Sequence, residues 1–241
     1  MIKAPENYAV WLSTPNQAFV EIASDLGYRK FVLDLEHGLF DADKTDAVIA
    51  LMLAQGFEVY AKVLGPEPVA IQRALDMACT GVIIPHIGGI DHAREITKSA
   101  KYPPLGTRSF SGTRPSRYGG ADASHYIEAN KTTLCFPMIE SAEALADVEE
   151  ILALPTVDGL FPGPSDLALS RGRGCYKNTE EDKADLRRIA EAAKAAGKPW
   201  VMPAWSKIER EEALALGASF LVVVDEYGSL YEGLAGPLQN N

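Results

Sequence analysis

The 241-residue chain carries 33 acidic against 23 basic side chains, and a net charge of -10 with a pI near 4.9 argues against binding to a phosphate backbone. Hydrophobic content of 47% and charged content of 23% are ordinary for a globular protein, and no apolar run approaches the roughly 20 residues of a membrane-spanning helix. Cys79, Cys135 and Cys175 are far apart with no CxxC spacing, which speaks against a disulfide framework or a thiolate metal site.

The opening MIKAPENYAVWLS has no basic patch followed by an apolar stretch, so a signal peptide is not expected and a cytoplasmic enzyme or binding protein is. Strand-length apolar runs then follow in order: YAVWLS (8 to 13), KFVLDL (30 to 35), EVYAKVL (58 to 64), GVIIPHI (81 to 87), TLCFPMI (133 to 139), DGLFPG (158 to 163), PWVMPA (199 to 204) and SFLVVV (219 to 224). Runs apolar on both faces suit a parallel sheet covered by helices. Helical spacing recurs between them, as in AIQRALDMA (70 to 78), ESAEALADVEEILAL (140 to 154) and TEEDKADLRRIAEAAKAAG (179 to 197). The last has Thr179 as N-cap, early acids, a late lysine and Gly197 as stop. The spacing predicts a single α/β domain over 1–241, a (β/α)8 barrel. A doubly wound open sheet is the alternative, although no GxGxxG or P-loop follows the first strand. One long irregular stretch, 102 to 125, contains Arg108, Arg114 and Arg117, which suit either a solvated basic loop or an anion clamp.

In a barrel the C-terminal ends of the strands form the active-site face. Asp34, Glu36 and His37 fall at the end of the second strand, Lys62 at the third, His86 at the fourth and Glu140 at the fifth; Asp166 follows the sixth in FPGPSD. Adjacent strands lie about 4.8 Å apart, so Glu140 and Asp166 could share one divalent cation, or could be ordinary acids at helix starts. His37 reads either as a hydrogen-bonded structural histidine or as an acid/base group oriented by Asp34. FPGPSD offers backbone amides at Gly163, Ser165 and Asp166 for an oxyanion, or is a plain Pro/Gly turn. Whether His86 or His125 enters the pocket is left open by the sequence, with a structural role as the default reading for both.

Taken together, VLDLEHG (32 to 38), YPPLGTRSF (102 to 110), RPSRYG (114 to 119), PMIES (137 to 141) and VDGLFPGPSDLALSRG (157 to 172) resemble the HpcH/HpaI class II pyruvate aldolases. The resemblance implies a barrel assembled as a homohexamer, with a C-terminal helix exchanged between subunits. It also implies reversible, divalent-metal-dependent cleavage of a 4-hydroxy-2-oxo acid to pyruvate or a related 2-oxo acid plus an aldehyde, with Mg²⁺, Mn²⁺ or Co²⁺ as cofactor. By the same resemblance Glu140 and Asp166 are metal ligands and His37 the acid/base. Asp34 and Asp76 pair with that histidine, Asp76 reaching a neighbouring subunit's site. Trp11, Ser116, Gly163 and Ser165 fall at substrate-pocket positions.

Two positions depart from the family pattern. Lys62 stands where the family has an arginine and cannot reproduce a bidentate fork on a keto acid; Met138 stands where the family often has glutamine. Both belong to the donor half of the pocket, so an altered 2-oxo acid is expected. Three other readings stay open: Lys62 as a Schiff-base nucleophile, a CoA-thioester or citrate-lyase-like lyase, and a non-catalytic metabolite-binding barrel.

Overall fold

In the computed structural model, which describes residues 3–239, eight parallel strands run in the order β6-β5-β4-β3-β2-β1-β8-β7. They are β1 (Tyr8–Leu12), β2 (Lys30–Asp34), β3 (Glu58–Lys62), β4 (Gly81–Ile84), β5 (Leu134–Ile139), β6 (Phe161–Pro162), β7 (Val201–Pro203) and β8 (Phe220–Asp225). A parallel bridge between Leu160 and Trp200 joins the two edges, with Leu160 N–H donating to Pro199 O at 3.1 Å and Val201 N–H donating to Leu160 O at 3.0 Å. The result is a (β/α)8 barrel, as the alternating pattern predicts.

The helices are α1 (Gln17–Asp25), α2 (Ala42–Ala54), α3 (Pro68–Asp76), α4 (Ile90–Ile96), α5 (Ser124–Thr132), α6 (Ala142–Ala146), α7 (Val148–Ala153), α8 (Pro164–Ser170), α9 (Glu180–Ala196), α10 (Lys207–Ala215) and α11 (Glu226–Gln239). Their starts are encoded locally. Asn16 and Asp41 cap α1 and α2 through side-chain oxygens, and Thr179 forms a reciprocal capping box with Asp182 at α9. Gly197 ends α9 in the left-handed conformation at φ 64°.

Some expected boundaries move. The helix read over 140 to 154 is two helices broken at Asp147, because the Asp147 carboxylate turns away to accept from Ile90 N–H at 2.8 Å and so caps α4. Residues 158 to 163 give only a two-residue strand, closed on its other side by the single bridge at Leu160. The stretch from 102 to 125 folds onto the outside of the barrel. Arg108 Nη2 pairs with Asp76 at 3.1 Å over the Tyr102 ring, and Arg114 pairs with Asp46 at 2.9 Å, so neither is solvated as a free basic loop would be.

Two cores result. The larger lies between barrel and helices, and a smaller one fills the barrel with Ala9, Val32, Tyr60, Ile83, Phe136, Met138, Phe161, Val201, Phe220 and Val222. Strand side chains alternate between faces, so the inward row continues upward from Ala9 to Trp11, Val32 to Asp34, Tyr60 to Lys62 and Met138 to Glu140. This parity carries polar side chains to the mouth above an apolar plug. Among the described residues no helix is long and apolar enough to cross a membrane.

Candidate active site

β2 and β3 pair in register with Asp34 opposite Lys62, and that pairing starts the site. Asp34 Oδ1 lies 3.4 Å from Lys62 Nζ and also accepts the His37 backbone N–H at 3.1 Å, which bends the chain over the strand end. Gly38 follows because space demands it. A Cβ there would come within 2.3 Å of Asp34 O and 2.6 Å of Ser13 O, so the close approach of two backbones requires glycine, rather than a left-handed turn.

Glu36 stands at the centre of the mouth. Its side chain is 8% exposed; Oε2 binds the Lys62 ammonium, and Oε1 lies 2.5 Å from His86 Nε2 and 3.5 Å from His37 Nε2. Burial alone would raise this carboxyl, but the Lys62 bond and charge, then His86 and His37, outweigh it and hold Glu36 below the usual carboxylate range. Lys62 Nζ also sits 5.9 Å from the centre of the Trp11 ring, which in turn packs against Phe161 at 6.2 Å.

His86, given a structural role only by default from sequence, belongs to this cluster. Strand parity would send it outward after the inward Ile83, but its backbone adopts φ 59°, an uncommon conformation for a non-glycine residue, and this turns the chain at the strand end. Its backbone N–H then donates to Glu140 Oε1 and its ring reaches Glu36. The only sequence signal was a histidine directly after Pro85 at a strand end. His125 lies elsewhere, 5.4 Å from the Tyr126 ring centre.

Glu140 directly follows β5 and is buried, whereas Asp166 sits exposed in the first turn of α8. Burial pushes the Glu140 carboxyl above its ordinary range; the His86 N–H opposes that push, and the negative charge of Asp166 adds to it. Gly163 packs against Glu140: a Cβ there would be 2.9 Å from Glu140 Oε2 and 3.0 Å from Met138 Cε. Two mutually repelling hard oxygen donors, one desolvated, fit a divalent cation, which would relieve both penalties. Among the described residues no group of three or more His, Cys, Asp or Glu is arranged to hold a metal ion, and a cation held by these two carboxylates would complete its shell with water and ligand oxygens.

Trp11, Asp34, His37, Lys62, Met138, Glu140, Gly163, Ser165 and Asp166 thus gather at one end of the barrel. Asp76 and Ser116 do not join them within this chain. Asp76 is the last residue of α3, which runs back toward the N-terminal ends of the strands, and it pairs with Arg108 there. The Ser116 hydroxyl is buried and donates to Ser111 O at 2.8 Å.

A polar cluster of this kind at the C-terminal mouth of a parallel barrel defines an enzyme of the (β/α)8 class. The chain belongs to the HpcH/HpaI aldolase/citrate lyase family, whose model matches residues 7–224, and it is accordingly a lyase. It is 33% identical over 193 residues to a hydroxypyruvate/pyruvate aldolase of Rhizorhabdus wittichii, covering 79% of this chain and 76% of that one. It is 31% identical over 220 residues to a 5-keto-4-deoxy-D-glucarate aldolase of Enterobacter sp. strain 638, covering 90% and 85%. A solved HpcH/HpaI aldolase/citrate lyase family protein from Burkholderia cenocepacia superposes with a TM-score of 0.87 at 26% identity, over 98% of this chain and 94% of that one.

Proposed function

We propose that the protein is a divalent-metal-dependent aldolase that reversibly cleaves a 4-hydroxy-2-oxo acid to pyruvate or a related 2-oxo acid and an aldehyde. The observation that carries this reading is the Glu140–Asp166 carboxylate pair beside exposed imidazoles at one barrel mouth. Glu140 and Asp166 would hold the cation, and His86 N–H fixes Glu140 in place. When bound, the cation supplies electrostatic stabilisation for negative charge developing on the 2-oxo group.

The residues of the chain perform the proton work. His37, 69% exposed at its side chain, would take the C4 hydroxyl proton as the C3–C4 bond breaks, leaving the aldehyde and an enolate that is reprotonated at C3. Asp34 holds the backbone at His37, and Trp11 and Met138 give the pocket an apolar wall. Lys62 is engaged by Glu36 and Asp34 and is therefore not a free amine, which weighs against a Schiff base. The relative named for hydroxypyruvate and pyruvate supports trying both as donors.

The reading extends to assembly. α11 is tethered at its start by buried Glu226, which accepts from Ser13 N–H, Thr14 N–H, Thr14 Oγ1 and Asn16 Nδ2 at 2.6 to 3.1 Å. Beyond it Leu230, Tyr231, Leu234 and Leu238 stay exposed, a face suited to exchange with a neighbouring subunit in a homohexamer. Asp76 would then serve a neighbour's mouth, with Ser116 supporting the adjoining loop.

The deciding experiment is deuterium exchange at the pyruvate methyl group in D₂O, followed by NMR with Mg²⁺ or Mn²⁺ and again with EDTA. Exchange only with metal is expected. Exchange that survives EDTA would overturn the metal assignment; absence of exchange with pyruvate, hydroxypyruvate, 2-oxobutyrate or thioesters would overturn the aldolase reading.

A further inference from the structure

Glu36 contacts three groups that could each carry positive charge, although nothing in the reaction above requires it. Its own carboxylate is nearly sealed at 8% exposure, whereas the His37 and His86 rings it touches are 69% and 60% exposed. The carboxylate therefore stands behind the groups that face a ligand. Its two oxygens are divided: Oε2 takes the Lys62 ammonium, and Oε1 faces both ring Nε2 atoms. With Asp34 Oδ1 3.4 Å from Lys62 Nζ on another side, the one buried cation of the donor half is flanked by two anions.

We propose that Glu36 is a positioning residue with two separable effects: it holds the His37 and His86 rings at the mouth, and it engages the charge of Lys62 so that this lysine grips an anionic 2-oxo acid only weakly. The first effect follows from sharing, because the same oxygen hydrogen-bonds the His86 ring at 2.5 Å and lies within ion-pairing distance of the His37 ring at 3.5 Å. The second follows from electrostatics in a buried site, where an ammonium between two carboxylates presents little net positive field to a third. Lys62 cannot form a bidentate fork, and with Glu36 in place it does not act as a free point charge either. The donor carboxylate is thus released readily after cleavage, at the expense of tight binding.

This inference rests on the aldolase reading, and Glu36→Gln tests it because the amide keeps the shape and removes the charge. In Mg²⁺-loaded protein, Glu36→Gln is expected to lower kcat by about 10- to 100-fold, the usual loss when a supporting partner is removed. Pyruvate binding, measured by calorimetry, is expected to tighten by about tenfold, the scale of one charge-assisted hydrogen bond. That tightening should vanish in Glu36→Gln/Lys62→Met. The His37 ring resonances in ¹⁵N-labelled protein should shift in Glu36→Gln whether or not the protein turns anything over, so this readout decides the positioning role even if wild-type protein shows no methyl exchange and the aldolase reading fails.

Unchanged kcat, unchanged pyruvate affinity and unmoved His37 resonances would overturn the proposal. So would a parallel loss of kcat and pyruvate binding in a variant that melts like wild type, since Glu36 would then contact the ligand itself. If Glu36→Gln does not fold, Glu36→Asp replaces it. The shorter acid retracts from the rings but keeps its negative charge in the buried site, where the flexible Lys62 stem can follow it, so kcat should fall while pyruvate affinity stays at the wild-type value; tightened binding in Glu36→Asp would overturn the charge argument.

Discussion

Lysine is buried at both ends of this barrel, and the two ends hold it differently. At the floor, where the strands begin, Lys101 donates to Asn130 O and Thr133 O at 3.0 and 2.6 Å and pairs with Asp158 at 2.7 Å. Nearby, Lys198 donates to Leu152 O, Leu154 O and Val157 O at 2.6, 3.0 and 2.6 Å. At the mouth, Lys62 is held by side chains instead, pairing with the carboxylates of Asp34 and Glu36 beside the Trp11 ring. Backbone carbonyls are fixed by the fold, so the floor is saturated and stays as built. Side-chain carboxylates can change partners, and at the mouth one of them is shared with two exposed imidazoles. The difference separates charges that close the barrel from charges available to a ligand.

Variants at the two ends should therefore fail in different ways. The largest effect is expected from Glu140→Gln or Asp166→Asn, which should reduce metal-dependent pyruvate methyl exchange by on the order of 10³ or more while leaving the melting temperature of metal-free protein unlowered. A matching loss of stability would erase the distinction between the ends. Next, Lys101→Ala leaves Asp158 without its charge partner and should cost about 3–5 kcal/mol in urea unfolding, with activity per folded molecule retained. Then His37→Ala should slow carbon–carbon cleavage by about 100-fold or more with an unchanged melting curve; an active variant would reject its acid/base role.

The smallest effect lies in the outer helices. Burial alone would raise the Asp182 carboxyl, but the Thr179 and Lys177 bonds and the Arg173 charge hold it below its usual range. A lowered native pKa stabilises the fold above the unfolded-state value and loses that contribution as pH falls through the native value. Asp182→Asn should accordingly cost about 1 kcal/mol near neutral pH, and its melting curve should converge with wild type on acidification. A gap that does not narrow in acid would show that Asp182 acts through packing or neutral hydrogen bonds.

Much of this architecture could be read from local patterns. Both-face apolar runs mark the strands, Thr179 and Gly197 mark the ends of α9, and period-two alternation from Val32 to Asp34 and from Met138 to Glu140 aims side chains up the barrel. Where chain direction departs from its local pattern, reading along the sequence fails. His86 escaped because a left-handed backbone breaks the parity that Ile83 had set. The break after α6 escaped because the Asp147 side chain is committed to Ile90, 57 residues away in the chain.

The sequence by itself determined the barrel, the gathering of acids and His37 at strand ends, and the family to which the chain belongs, because these depend on periodicity, capping and motifs carried in short segments. Only the tertiary structure decided how those groups pair: that Lys62 lies between Asp34 and Glu36, that Glu36 faces both His37 and His86, and that Arg108 and Arg114 bind Asp76 and Asp46 outside the barrel. Each pairing joins residues from different elements, and a charge chooses its partner by distance and burial, which strand register and loop path establish only once the barrel has closed.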